Sequence, residues 1–155
     1  MPAVQTDRIE KKVLLRAPRS RVWRALTNAQ EFGQWFGVRL TGSFAPGKEI
    51  EGPVTHKGYE HIVWKVRIEK MEPERLFSWR WHPAAVEPGQ DYTPEPNSTL
   101  VVFQLEEVEG GTLLTVVESG FDRLSPANQA AIYRKNDEGW TAQMEFIRNH
   151  VDRTP

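Results

Sequence analysis

Residues 62–81 read IVWKVRIEKMEPERLFSWRW, and the run contains two strands with a turn between them. Large apolar side chains fill every second position of residues 62–68 and again of residues 77–81. A two-residue period of this kind is typical of strands that bury one face. Because the Glu72-Pro73-Glu74 segment has the composition of a turn, the run predicts an antiparallel hairpin.

Strands are also predicted on either side of this hairpin. Residues 100–105 and 113–117 form another pair, joined around Glu109-Gly110-Gly111, and residues 9–16 form a strand near the start of the chain. No helix predicted between the strands is long enough for a parallel crossover, so we expect an antiparallel sheet.

Two short helices are predicted after the first strand. Pro18 suits the first turn of the first helix, where its missing N–H has no partner to lose. Asn28 and Glu31 resemble the N-terminal cap of the second helix, and Gly37 ends it.

The end of the chain is predicted to be helical from Ser125-Pro126 onward, where a cap residue precedes a first-turn proline. Four apolar residues then form a single stripe: Trp140, Met144, Ile147 and Val151. Asn136 and Gly139 weaken the middle, so one helix and a short helix followed by a longer one both fit the pattern.

This order of elements is an α+β arrangement. A sheet of this size twists and curls, and the long helix laid across its concave face would close the core. We expect a polar tail over residues 1–8 and a single domain over residues 9–152, which suits a chain of 155 residues.

The composition excludes several classes of function. The 20 Lys and Arg residues against 21 Asp and Glu give a formal net charge of −1, too little to bind nucleic acid or an anionic membrane by charge. With no cysteine, disulfides, thiolate zinc sites and cysteine nucleophiles are excluded. No signal peptide or membrane-spanning stretch is visible, so we expect a soluble, cytoplasmic protein.

Short motifs follow one another along nearly the whole chain, from Ile9 to Val151. In the first half they are Ala17-Pro18, Val22-Trp23-Arg24-Ala25-Leu26-Thr27-Asn28, Phe32 and Gln34-Trp35-Phe36. In the second half they are Glu72-Pro73-Glu74-Arg75-Leu76, Trp81, Ser98-Thr99-Leu100-Val101, Gly111-Thr112-Leu113-Leu114-Thr115, Glu118-Ser119-Gly120-Phe121, and Asn136 with Gly139-Trp140. This ordered set resembles the Hsp90-ATPase-activator-homologue (AHSA1-like) group of the START-like (SRPBCC) superfamily.

The resemblance implies a helix-grip fold, in which a curved antiparallel sheet holds the C-terminal helix and leaves an apolar cavity between them. Members of the superfamily bind lipids, polyketides or other apolar ligands, some act as aromatase/cyclases, and the eukaryotic Hsp90 activators stimulate a chaperone. Those activators carry an additional N-terminal domain for which this chain has no room. A small ligand is therefore a stronger expectation than a chaperone partner.

Large side chains on the apolar faces either fill the core or line such a cavity, and their spacing alone leaves both readings open. The candidate lining residues are Trp64, Val66, Phe77, Trp79, Trp81 and Phe103 on strands, and Trp140 and Met144 on the long helix. Trp35 and Phe36 are candidates for covering one mouth. The loop over residues 82–98, which contains four prolines, is a candidate gate.

Catalytic residue types do not form a recognisable motif, since neither a GxSxG elbow nor an HExxH pair is present. His56 and His61 flank Glu60 in a predicted hairpin, but a metal site would need a third ligand and an oriented second shell, so we expect no metal and no cofactor. Five polar residues are instead candidates for anchoring a ligand in the cavity: Arg80, His82, Gln104, Glu118 and Gln143.

The sequence therefore predicts non-catalytic binding of a small apolar or aromatic molecule between the sheet and the C-terminal helix. Two alternatives stay open: a cyclase- or hydrolase-type enzyme acting in the same cavity, and a chaperone-activator-like protein-interaction module. A short sheet edge near residues 38–44 would allow pairing with a second copy, so we expect a monomer or a weak homodimer.

Overall fold

The computed structural model describes residues 8–81, 98–123 and 126–153. The strands are β1 (Arg8–Leu15), β2 (Glu49–Pro53), β3 (Val63–Glu72), β4 (Leu76–Trp81), β5 (Thr99–Val108) and β6 (Gly111–Ser119). The helices are α1 (Arg19–Thr27), α2 (Ala29–Phe36) and α3 (Pro126–Arg153), with a short 3-10 turn at Phe121–Arg123. The order of elements is the predicted α+β, helix-grip arrangement, and the fold class is confirmed.

The six strands form one antiparallel sheet in the order β1-β6-β5-β4-β3-β2. The hairpin predicted from residues 62–81 is confirmed as β3 and β4, with Ile68 opposite Trp79 and Val66 opposite Trp81. Because side chains alternate between the faces of a strand, these four residues share the inner face. That face is covered by the helices.

The long helix is continuous from Pro126 to Arg153, so the one-helix alternative is the correct one. Its predicted stripe is buried, from Trp140 (3% exposed) to Val151 (6% exposed). The helix packs against β1, α1 and α2. Ser125, the predicted cap, lies outside the described residues.

The short helices follow the sequence signals closely. Asn28 caps α2 by accepting a hydrogen bond from the Glu31 backbone N–H at 2.9 Å, and Gly37 ends α2 with φ of +99°, a conformation that favours glycine. Pro18 differs slightly from its prediction, since it is the extended residue just before α1 rather than part of its first turn.

The predicted sheet edge near residues 38–44 forms only at its start. Val38 makes only a single bridge, to Val54, and the edges of the sheet are β1 and β2. The Gln30 side chain explains the difference, because its Nε2 donates to the carbonyl oxygens of Leu40 (3.2 Å) and Gly42 (2.9 Å). The start of the segment thus pairs with the end of β2, where the Arg39 N–H donates to the Pro53 carbonyl oxygen at 2.9 Å, and residues 40 and 42 are bonded to α2 instead. Of the predicted proline-rich loop, residues 82–97 lie outside the described residues.

Most of the space between sheet and helices is filled by aromatic rings. Trp79 is fully buried, and its ring centroid lies 5.0 Å from that of Trp81, 5.5 Å from Trp64, 6.0 Å from Phe103 and 6.3 Å from Trp140. Edge-to-face and tilted contacts at these distances are the favourable arrangements for aromatic pairs. Of the two interpretations of the large apolar side chains, the one in which they fill the core therefore applies to the centre of the molecule.

Candidate ligand pocket beside a buried carboxylate

A glutamate lies at one end of this aromatic core. Alternation along β6 places Glu118 on the inner face with Leu114 and Val116, and all three side chains are fully buried. Glu118 lies opposite Val101 of β5 on one side and Ile9 of β1 on the other. A carboxyl group at such a position is costly unless its oxygens are hydrogen-bonded.

Four side chains supply those hydrogen bonds. The indole N–H groups of Trp81 and Trp140 each donate to Glu118 at 2.8 Å, the first to Oε2 and the second to Oε1. The Thr99 hydroxyl lies 2.5 Å from Oε2, and the Asn136 amide donates to both oxygens at 3.1 and 3.3 Å. The carboxyl group thereby joins β4, β5 and α3.

Burial and hydrogen bonding act on this group in opposite directions. Burial raises the pKa of Glu118 above its ordinary value, and the hydrogen bonds from Thr99, Trp140, Trp81 and Asn136 offset this only in part. Among the described residues no Lys, Arg or His forms an ion pair with it. Indole and amide N–H groups can only donate, so three of the four partners suit the ionised carboxylate.

A small pocket lies on the other side of these donors. Its volume is about 80 Å³, and its lining residues are Phe36, Trp81, Asn136, Gly139, Trp140 and Gln143. Trp81, Asn136 and Trp140 are also donors to Glu118, so they form the wall between the pocket and the carboxylate. The pocket's own surface is aromatic and amide in character, with no titratable group among its six lining residues.

Gln143 and Gly139 complete the pocket on the side of α3. The Gln143 amide donates from Nε2 to the Phe36 carbonyl oxygen at 3.1 Å, which fixes the orientation of the amide. Its Oε1 is buried and has no hydrogen-bond partner among the described residues. At Gly139, an exposed residue, an added Cβ would meet none of the described residues within 4 Å, so the missing side chain leaves this side of the pocket open.

The structure brings three of the predicted lining residues to this pocket: Phe36, Trp81 and Trp140. The other candidates are buried in the core and do not line it: Trp35, Trp64, Val66, Phe77, Trp79, Phe103 and Met144. Trp35 is held inward because its Nε1 donates to the Ala25 carbonyl oxygen at 2.8 Å.

Among the candidate polar anchors, Gln143 lines the pocket, and Glu118 lies behind it as the hydrogen-bond partner of the lining residues Trp81, Asn136 and Trp140. Arg80 and Gln104 do not reach the pocket, because their strand neighbours Trp79 and Phe103 occupy the inner face and alternation turns them to the outer one. Arg80 lies 3.4 Å from Glu69 there, and Gln104 is exposed. His82 lies outside the described residues.

Sequence reasoning overlooked Asn136 and Gly139 as pocket residues. Both were visible as poor helix formers in the middle of the apolar stripe, at positions i−4 and i−1 from Trp140. In the structure, Asn136 donates to Glu118 and Gly139 leaves space beside the pocket.

The hairpin histidines do not come together as a ligand set. Glu60 instead accepts a hydrogen bond from the Gly58 N–H at 2.5 Å, and within residues 8–81, 98–123 and 126–153 no three His, Asp or Glu side chains are grouped closely enough to hold a metal ion.

The six-stranded antiparallel sheet and the long C-terminal helix define a helix-grip protein. The chain belongs to the family described as Activator of Hsp90 ATPase homolog 1-like protein, whose profile matches residues 16–152, so the resemblance stated from the motifs is confirmed. A comparison with curated proteins gave no match. Within the described parts of the chain, no helix is both long and apolar enough to cross a membrane.

Three solved structures show the same fold. Protein MLL2253 from Mesorhizobium loti is 24% identical, with a TM-score of 0.74, over 96% of this chain and 98% of that one. A protein from Arthrobacter aurescens is 15% identical, with a TM-score of 0.79, over 99% and 90%. The Aha1 dimer from Colwellia psychrerythraea is 18% identical, with a TM-score of 0.68, over 93% and 95%.

Proposed function

We propose that this protein binds a small aromatic or apolar molecule, without catalysis, in the pocket between Phe36, Trp81 and α3. The observation that carries the proposal is the pocket itself, which has three aromatic walls, two amide side chains and an open side at Gly139. A mostly apolar pocket with a few placed polar groups is the usual form of a small-molecule site.

The size of the pocket limits what enters it. About 80 Å³ is well below the roughly 300–1,000 Å³ of sites that enclose a whole drug-sized ligand. The pocket therefore accommodates a single small group, and the remainder of the molecule lies toward the mouth at Gly139.

The buried carboxylate supports a positioning role. All of its described contacts hold side chains in place, and the two indoles that it holds are pocket walls. Acid–base catalysis would require a titratable group in contact with the ligand, whereas Glu118 lies behind the wall and already has four partners. This arrangement favours binding over an enzyme of the cyclase or hydrolase kind.

The proposal is tested by titrating benzyl alcohol into ¹⁵N-labelled protein and following the six tryptophan indole N–H signals by NMR. We expect the Trp81 and Trp140 signals to move and saturate, while the Trp23 signal, from α1, stays in place. If neither pocket indole responds at millimolar concentration, the proposal fails.

A matched pair of variants locates the binding. Gly139→Leu places a side chain at the mouth and is expected to abolish the shifts. Thr141→Leu adds a similar side chain to an exposed position on the same helix and is expected to leave them intact. Equal binding by both variants would place the probe elsewhere.

A second proposal, a chaperone-activator-like protein interaction, is favoured by the family and by exposed apolar side chains. Tyr59 is 58% exposed and Phe146 is 42% exposed, and Phe146 lies beside His56 of the same hairpin as Tyr59, with ring centroids 6.4 Å apart. Stimulation of an Hsp90 ATPase that is lost in Phe146→Ser would support this proposal, and no stimulation by the wild type would reject it.

A further inference from the structure

We propose that the group entering the pocket is cationic: an alkylammonium or arylalkylammonium ion, or that head group on a larger molecule. This inference rests on the proposed function and adds the charge of the ligand. Three separate observations carry it, namely the aromatic walls, the carboxylate behind them and the unpaired amide oxygen.

The aromatic walls are close enough together to act on one cation. The ring centroids of Phe36, Trp81 and Trp140 lie 6.4, 6.1 and 6.1 Å apart, pair by pair. A cation gains favourable interaction with a ring face when it is within about 6 Å of the centroid, and tryptophan is the best partner. A group seated over this triangle is within that distance of all three centroids.

An ionised Glu118 makes the electrostatic potential in the pocket negative. Trp81 and Trp140 direct their N–H dipoles at Glu118, and such hydrogen bonds polarise the groups that make them. When Glu118 is ionised, its negative charge also acts through this buried wall, where Coulomb interactions are stronger than in bulk water. An anion in the pocket would be repelled, and a neutral molecule would gain nothing from the charge.

The lining residues add an acceptor and no competing cation. Gln143 Oε1 is buried and lacks a hydrogen-bond partner within the described structure, and an unpaired buried acceptor is costly. A rotation of the Gln143 side chain that turns Oε1 toward the pocket would let an ammonium N–H satisfy it. None of the six lining residues is Lys, Arg or His, so nothing in the lining itself favours an anionic group.

The test uses three probes with one phenyl ring and different charges: benzylammonium, benzyl alcohol and benzoate. Each is titrated at pH 7 and constant ionic strength, with the Trp81 and Trp140 indole signals as the readout. We expect benzylammonium to bind about tenfold or more tightly than benzyl alcohol, and benzoate to bind most weakly.

The failures of the two proposals are distinguishable. If no probe moves the two indole signals, the binding function fails. If benzyl alcohol or benzoate binds as tightly as benzylammonium, the function stands and the cation preference is overturned. This comparison needs only the wild-type protein.

Substitution then identifies the source of the preference. Glu118→Gln removes the charge, and the ratio of benzylammonium to benzyl alcohol affinity is expected to fall toward one. Glu107→Gln, at an exposed glutamate of β5, is the matched control and should keep the wild-type ratio. A preference unchanged in a folded Glu118→Gln protein would overturn the role of the carboxylate; should that variant not fold, Gln143→Leu tests the acceptor, with an unchanged ratio counting against it.

Discussion

Two buried tryptophans show how a single hydrogen bond separates a core residue from a site residue. Trp79 and Trp140 are 0% and 3% exposed, and their rings are in contact. The Trp140 N–H donates to Glu118, whereas the Trp79 N–H has no partner among the described residues. Trp79 therefore stabilises by packing alone, and Trp140 by packing and by a hydrogen bond to a buried carboxyl group.

This difference predicts that substitution by phenylalanine lowers the free energy of unfolding by different amounts at Trp79 and Trp140. Trp79→Phe removes buried volume and an unpaired N–H, while Trp140→Phe removes a hydrogen bond to a buried carboxyl group and leaves one of its oxygens short of a donor, which costs about 1–3 kcal/mol. We expect Trp140→Phe to lower the free energy of unfolding by about 1–2 kcal/mol more than Trp79→Phe does. Urea denaturation followed by circular dichroism measures both, and equal losses would show that the indole–carboxylate bond has no net value.

The position of Glu118 was predictable from the sequence, but its partners were not. Its two-residue spacing from Val116 and Leu114 indicates the inner face of β6. Trp81 and Trp140, however, are 37 and 22 residues away along the chain. Local periodicity predicts which face a side chain occupies, and only the packing of α3 on the sheet decides which donors reach it.

At the scale of whole elements, α2 and α3 each contain a glycine for opposite reasons. A Cβ at Gly33 of α2 would lie 2.2 Å from the carbonyl oxygen of Val38, whereas a Cβ at Gly139 of α3 would have no described residue within 4 Å. Gly33 is required because the chain after α2 turns back against it, with the Val38 N–H donating to the Gly33 carbonyl at 3.1 Å. Gly139 is not required by the helix at all.

Alanine substitution at Gly139 and at Gly33 should therefore change the free energy of unfolding in opposite directions. Gly139→Ala is expected to raise the free energy of unfolding by about 0.5–1 kcal/mol, since alanine is the better helix former. Gly33→Ala gains the same propensity but displaces backbone, and we expect a net loss of about 1–3 kcal/mol. Thermal and urea unfolding check both values.

The same Gly139→Ala variant should bind benzyl alcohol more weakly, because the added methyl group narrows the mouth of the pocket. A stabilised protein with weaker binding would show that this glycine is kept for the ligand. A stabilised protein with unchanged binding would remove Gly139 from the site.

The helices and strands follow from local sequence signals, except at residues 38–44. The strands of residues 62–81 and the Asn28 cap were predictable because the responsible residues are two or three positions apart. Residues 38–44 were not, since Gln30, a side chain on α2, takes up the carbonyl groups that a strand would use. A hydrogen bond from another element overrode the strand pattern.

At the scale of the whole molecule, one carboxylate joins all three helices. Glu31 of α2 lies 2.6 Å from Arg21 and 3.2 Å from Arg24, both of α1, and 2.9 Å from His150 near the end of α3. Burial by itself raises the pKa of Glu31, but the hydrogen bonds from His150 and Arg21 and the charges of both arginines outweigh it, so the pKa is lowered.

Residues so far apart in the chain gave no signal of this cluster, in which Glu31 and His150 are separated by 119 positions. The cluster therefore links α2 to the C-terminal end of α3. The cluster fixes α2, which carries Phe36 to the pocket, against the last turns of α3, which carries Trp140 and Gln143. The pocket walls are thus held both by Glu118 and, from the opposite end of the helices, by Glu31.

The lowered pKa predicts how this link between α2 and α3 depends on pH. A carboxyl group with a lower pKa in the folded state stabilises the fold fully above its unfolded value of 4.5, and that contribution is lost as the pH falls through the folded value. We expect Glu31→Gln to cost about 1–3 kcal/mol near pH 6, and its difference from the wild type in free energy of unfolding to shrink steadily as the pH falls below 4.5. The raised pKa of Glu118 acts in the opposite direction, with stability falling as the pH rises above 4.5, but it is present in both proteins and cancels in the difference. Urea unfolding across this range measures the effect, with Glu107→Gln as the exposed control; a difference that does not vary with pH would mean that Glu31 does not hold the three helices through its charge.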